Sequence, residues 1–293
     1  MCFIQSGVLR FGKIIGLLIL AISLHVPVAD AFSLLGPYDT WMQSTNGFRQ
    51  PGDIGGPMNL GGEFRWNVPV LTYSFDQSFL DYFGSNGVFA VEQAMQILNN
   101  LPPASQLDPT NYPPEATSFN YNAQANGLTD VKSKTLAVLL EQLGLTQPTR
   151  HTFDVHDFGF AGGNPVAQIV MRNFDPLTFA PTNWVNDTGY SNLLTAVTNG
   201  NSISVTAEEI PFIWYSNIRT AVADDAAGMG GFYTDLTRDD IGGLRYLLHT
   251  NNVNFEPLLP ACTASAQTPE RTSIKRCVRV WTRSPSSDVT TMA

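Results

Sequence analysis

Cysteine is almost missing from this chain, with three in 293 residues at positions 2, 262 and 277 and none between 32 and 260. That leaves the body without a thiol nucleophile and without a disulfide framework. Histidine is nearly as scarce, at His25, His151, His156 and His249. No G-x-S-x-G turn occurs, so serine-hydrolase chemistry has no support either. A loop of regularly spaced carboxylates of the kind that holds calcium is also absent. Basic charge is short as well: the formal net charge is −9. An acidic chain of this kind argues against nucleic acid as a partner, because phosphate binding needs a basic face.

One apolar run stands out, residues 14–28, preceded by Arg10 and Lys13 and followed by Ala29-Asp30-Ala31. This is the pattern of a secretory signal peptide, 1–31, cleaved before Phe32, and the run is short for a membrane span of about 20 residues. The mature chain is then secreted, extracellular or periplasmic, with no membrane attachment. Its 262 residues suffice for one large domain or a domain with an appendage. Cleavage leaves 14 basic and 24 acidic side chains, a net charge of −10. The tail, 251–293, differs in sign: beyond position 260 it has Arg271, Lys275, Arg276, Arg279 and Arg283 against Glu270 and Asp288. Cys262 and Cys277 lie in this tail. In an exported chain they form a disulfide closing a loop of about 15 residues, worth about 3 kcal/mol, or else remain two free thiols.

Residues 32–65 are rich in glycine and proline, with PGDIGGP at 51–57, and read as an N-terminal arm with little regular structure, anchored by Tyr38, Trp41 and Phe48. From Trp66 through Val68, Val70 and Leu71 to Phe75 the pattern predicts a strand. A helix over about 86–99 follows, capped by Asn86, with Val88, Val91, Ala94, Met95 and Leu98 on its apolar face. Residues 101–126 read as a long loop with a short strand at 117–121. The helical period returns in 128–148, where Leu128, Val131, Leu136, Leu139, Leu140 and Leu143 share a face and Gly144 supplies a left-handed stop, giving a helix over about 129–143. Strands are then predicted at 166–174, 193–197, 203–206 and 212–218, with Asn199-Gly200 as a turn signal. A last helix over about 238–248 begins in a capping box of Thr237 and Asp240, and Ile241, Leu244, Leu247 and Leu248 form its face.

The segment 128–148 resembles the active-site helix of the metzincin zinc proteases, and within them the matrixins, whose pattern is H-E-x-x-H-x-x-G-L-x-H. Aligned through Gly144 and Leu145, the histidine and glutamate positions fall on Ala137, Val138, Glu141 and Gln147. Trp66-x-x-x-x-Leu71-Thr72-Tyr73 before a long helix, and Thr237-x-Asp239-Asp240-Ile241 with a following glycine, are similar to the opening and the last helix of a matrixin domain. Met229, between glycines, is a candidate for the methionine turn or else an ordinary core residue. The resemblance implies an α/β fold: a metzincin-like domain, 66–250, with a twisted sheet, two long helices, the C-terminal helix and a β-rich insertion over about 149–228. Matrixin prodomains silence zinc with a cysteine, and 32–65 has none, so that stretch remains a plain arm.

Catalytic zinc needs about three protein ligands, an open position and a base nearby. Ala137 offers no lone pair, Glu141 only a carboxylate, and Val138 cannot take a proton from water. His151 and His156 are five positions apart, on opposite faces of a strand and about 140° apart on a helix, so neither geometry converges on a metal. The adjacent carboxylates Glu208-Glu209, Asp224-Asp225 and Asp239-Asp240 read as solvated faces or caps. Asn186-Asp187-Thr188 is a formal glycosylation acceptor. The resemblance thus implies no zinc and no catalytic residue, with structural calcium compatible. The expected function is that of a secreted, inactive metzincin-like module that binds a protein or peptide, or plays a structural part. One alternative is an active zinc hydrolase with ligands displaced to His151, His156 and Glu141 or Asp154. Another is a surface component that makes contacts through its insertion and tail.

Overall fold

The computed structural model describes residues 31–66, 73–199, 202–212 and 218–255. The leader up to Asp30, residues 67–72 of the strand predicted from Trp66 to Phe75, residues 213–217 of the strand predicted at 212–218, Gly200 of the predicted turn and the two tail cysteines lie outside the described residues. Tyr73 to Phe75, the end of the first of these strands, is not in a strand.

The chain enters as β1 (Phe32–Gly36), followed by β2 (Gly56–Met58). Phe32-Ser33-Leu34 is almost fully buried, so the segment read as an arm opens with the middle strand of a sheet. The first helix, α1 (Gln77–Asn99), starts earlier than the sequence pattern implied. Asp76 is its cap, accepting the Ser78 N–H at 2.8 Å, and not Asn86. Gly84, at φ 58° and ψ −151°, interrupts it, and the half beyond Gly84 buries Gly87, Val91, Ala94, Met95 and Leu98. Next come β3 (Thr117–Phe119) and the short α2 (Tyr121–Ala125).

The central helix, α3 (Val131–Leu143), is capped by the Asp130 carboxylate, which accepts from Ser133 N–H at 2.8 Å. It ends at Gly144 with φ 108°, where a Cβ would also come within 3.1 Å of the Phe64 carbonyl oxygen, so glycine is required on two counts. Ser133, Leu136, Ala137, Leu139, Leu140 and Leu143 are buried, while Leu128 is exposed. β4 (Leu145–Thr146) follows directly.

The region of the predicted insertion contains β5 (Asp154–Ala161), β6 (Asn164–Val170), β7 (Asn173–Phe174), β8 (Trp184–Val185), β9 (Thr188–Asn199) and β10 (Ser202–Pro211). After β11 (Gly231–Tyr233) the described chain closes with α4 (Arg238–Leu247). The architecture is mixed α/β, and its described strands do not join in one sheet. The described strands fall into four antiparallel sheets: β2-β1-β4 with β7 also on β1, β10-β9-β8, β11-β3 and β5-β6. Outside the two long hairpins, β5-β6 and β9-β10, no described strand exceeds five residues. Strands this short, separated by proline- and glycine-rich connections, give each sheet few ladder bonds, so the apolar core carries the assembly.

That core joins Val91, Ala94, Met95 and Leu98 of α1 to Leu136, Leu140 and Leu143 of α3, with Phe32 and Leu34 and with Ile241, Leu244 and Leu247 of α4. Each fully buried side chain of this kind contributes about 1.5–3 kcal/mol. α4 approaches closely because of Gly242 and Gly243, where a Cβ would lie 2.3 Å from Pro176 Cβ and 2.5 Å from Leu145 Cδ2. Its first turn ties distant segments together. Asp239 accepts the Ala31 N–H on one oxygen and the Asn186 N–H on the other, both at 2.8 Å. Asp240 accepts from Val222, Ala223 and Thr237. These carboxylates are caps, but buried ones, not a solvated face. Asn186 is fully buried and donates to Thr237 Oγ1 at 3.1 Å, so the glycosylation motif is closed to a transferase in the folded chain.

Candidate functional site

Positions 137 and 138 both neighbour 141 on the surface of α3, because residues three and four apart share a face of a helix. Gly144 then reverses the chain, and β4 carries it to Gln147. All four positions aligned with the zinc motif line a single cleft of about 300 Å³. Thr146, Arg150 and His151 continue the same wall. Residues 50–55, the approach to β2, also line it, together with Leu35, Phe48, Ala223 and Asp225. β4 is an edge strand of its sheet, and Thr146 brings that edge to the cleft.

Three carboxylates face this space, and two have partners. Asp53 receives both guanidinium nitrogens of Arg150, at 2.6 and 2.9 Å, and Arg150 also donates to the Gly47 carbonyl at 3.0 Å. Burial acts to raise the Asp53 pKa, but the bonds from Arg150 and from the Gln50 N–H outweigh it and hold the pKa below the usual value. Asp225 takes Lys134 on both oxygens at 2.8 Å. The Glu141 carboxylate has no hydrogen bond or ion pair among the described residues. Burial pushes its pKa up, and the negative charges of Asp53 and Asp225 add to the effect.

His151 is buried, and its Nδ1 lies 3.0 Å from Asp154 Oδ1. Asp154 Oδ2 is buried without a hydrogen-bond partner. His156 packs against Trp41 with ring centroids 4.8 Å apart and planes tilted by 31°, outside the cleft lining. His249 follows α4, where its Nδ1 accepts the Asn251 N–H at 3.2 Å. The displaced set of His151, His156 and Glu141 or Asp154 is therefore not drawn together. No group of three or more His, Cys, Asp or Glu side chains placed to hold a metal occurs among the described residues. Ala137 and Val138 supply no donor, Gln147 only an amide, and the set does not fit a catalytic zinc. Met229 is exposed, near Gly127, and does not line the cleft.

Sequence reasoning reached part of the lining and missed the rest. Asp53 and Arg150 are 97 positions apart, and nothing local to either announces the pairing. The glycines of PGDIGGP mark a tight turn but not what it faces.

Comparisons with protein-family models, with characterised proteins and with solved structures find no match. The likeness to metzincins rests on the residues quoted above. What the arrangement offers chemically is a partly apolar trough with one carboxylate lacking a counter-charge, next to a sheet edge with no further strand, both among the described residues.

Proposed function

We propose that this chain is an exported, catalytically inactive metzincin-like protein that holds an extended peptide in the cleft beside α3. The observation that carries this reading is that Ala137, Val138, Glu141 and Gln147 line one cavity together. A groove that once held a scissile peptide over a metal needs little change to hold a peptide without one. The β4 edge at Thr146 offers main-chain hydrogen bonds to an added strand, and the trough offers a place for alternate side chains. Apolar contacts come from Leu35, Phe48, Ile54 and Val138. Two of these, Ile54 and Val138, are more than half exposed in the free protein, so covering them favours binding.

A peptide array probed with the purified chain tests the reading. Binding to a subset of extended peptides is expected, with loss in a Val138→Arg variant, whose exposed site tolerates the change without loss of fold. Array signals that persist in Val138→Arg with wild-type strength would place recognition elsewhere and overturn it.

A further inference from the structure

Among the carboxylates of the cleft, Glu141 alone lacks a positive partner within the described residues, while Asp53 and Asp225 are held by Arg150 and Lys134. A ligand that brings one cationic group therefore gains a charge-assisted bond at Glu141 and need not break an existing pair. The chain carries such groups close by. Arg65 donates its N–H to the Asn254 carbonyl at 2.9 Å, and Phe255 pairs with Arg65 in parallel. The next residue, Trp66, donates its indole N–H to the carbonyl of Gln142, the neighbour of Glu141. The described chain thus ends beside the segment that touches the C-terminal turn of α3, and each further extended residue adds up to about 3.3–3.6 Å of reach. Arg271 follows Phe255 by 16 positions, so the basic segment has ample reach.

The sequence of that segment matches the cleft in a second way. In an extended conformation, Arg271, Lys275, Arg279 and Arg283 fall on one face with Ser273, Cys277 and Trp281, and Ile274, Val278 and Val280 on the other with Thr272, Arg276 and Thr282. A cleft lined by Ile54 and Val138 and by Glu141 offers places for both kinds of side chain. We propose that residues 271–283 of this chain dock in the cleft, with a lysine or arginine side chain on Glu141, and compete there with external peptides. This rests on the peptide-binding reading above. Attachment to the same chain gives the segment an effective concentration on the order of millimolar, so a weak cis contact suffices to mask the site.

The test uses the full chain and a fluorescent peptide of residues 268–285 carrying Cys277→Ser, read by anisotropy. The comparison is with a variant carrying Arg271→Gln, Lys275→Gln, Arg276→Gln, Arg279→Gln and Arg283→Gln, which neutralises the tail without making it attract the probe. The neutralised chain is expected to bind the probe at least ten-fold more tightly than wild type, with affinity falling as salt rises. Adding Glu141→Gln to it should remove most of that binding. Glu141 has no hydrogen bond or ion pair among the described residues, so the melting temperature of this variant should stay at the parent value. Val138→Lys, which places an ammonium one turn from Glu141, provides a second variant with the same expected loss.

Equal probe affinities in wild type and neutralised chain would overturn self-docking while leaving the peptide-binding reading intact. The same holds if neither chain binds the probe but other peptides bind on an array. A blank array with the neutralised chain would overturn both.

Discussion

Asn186 shows how one side chain can serve packing where a motif suggests modification. Its amide donates to Thr237 Oγ1, and its backbone N–H donates to Asp239, all out of contact with water. Asn186→Ala should cost about 2 kcal/mol, the penalty of leaving buried polar groups unpaired, read as a lower urea midpoint. Residue-scale reasoning also tests the alignment of α3. The triple variant Ala137→His, Glu141→His, Gln147→His should bind zinc if position 147 returns toward 137 and 141 as the shared cleft implies. Zinc at about 100 times its dissociation constant would add about 2.7 kcal/mol to the stability of the variant and raise its melting temperature by several degrees. Calorimetry showing a folded variant with no more zinc affinity than wild type would remove the main support for the family reading. These positions were legible because a helical period and a glycine stop are local signals. Asp53, Arg150 and Asp225 were not, since loops brought them together.

At the scale of elements, the helices could be read more fully than the strands. α3 and α4 are fixed by side chains within a few positions of their ends, Asp130 with Ser133 and Thr237 with Asp240. β1 has no such signature. FSLLG is five residues after an apolar leader, and its strand character comes from Leu145, Met58 and Phe174, all distant in sequence. The close contact of α4 with β4 and β1 gives a direct prediction: Gly243→Ala pushes a methyl into Leu145 and Phe32 and should cost about 1–3 kcal/mol. Thermal melts of this variant beside Gly228→Ala, a loop position with open space around it, separate the clash from the general effect of replacing a glycine. Equal melting temperatures would mean that the helix approaches less closely than described.

For the molecule as a whole, buried carboxylates set the response to pH. Burial lifts Glu209 to about 8, with Asp154 and Asp224 adding to the rise and Arg150 opposing it. Burial likewise lifts Asp224 to about 6 despite its bonds from Thr149 and Ala221. Both folded values exceed the unfolded ones, so the folded chain holds more protons. Stability from these groups is full below about pH 4 and is lost as pH rises through about 6 and then about 8. Asp53, whose pKa is lowered, works in the opposite sense and loses its contribution as pH falls. The optimum should therefore lie on the acid side of neutrality. Urea midpoints should decline from pH 5 to pH 8, and Glu209→Gln should flatten that slope. A midpoint that rises over this range in wild type would show that Glu209 is ionised in the fold.

The bond from Ala31 to Asp239 has a temporal meaning. It joins residues 208 positions apart, and both ends are sealed from solvent, as is Phe32 beside the expected cleavage point. With the expected cleavage before Phe32, Ala31 would leave with the leader, so this bond would exist only in the precursor. A peptidase needs the Ala31–Phe32 peptide bond extended and reachable, so a leader of the expected kind would have to be removed before β1 takes its place beside α4. A precursor refolded intact in the test tube should keep its leader when signal peptidase is added, whereas the same precursor held in urea up to the moment of mixing should lose it.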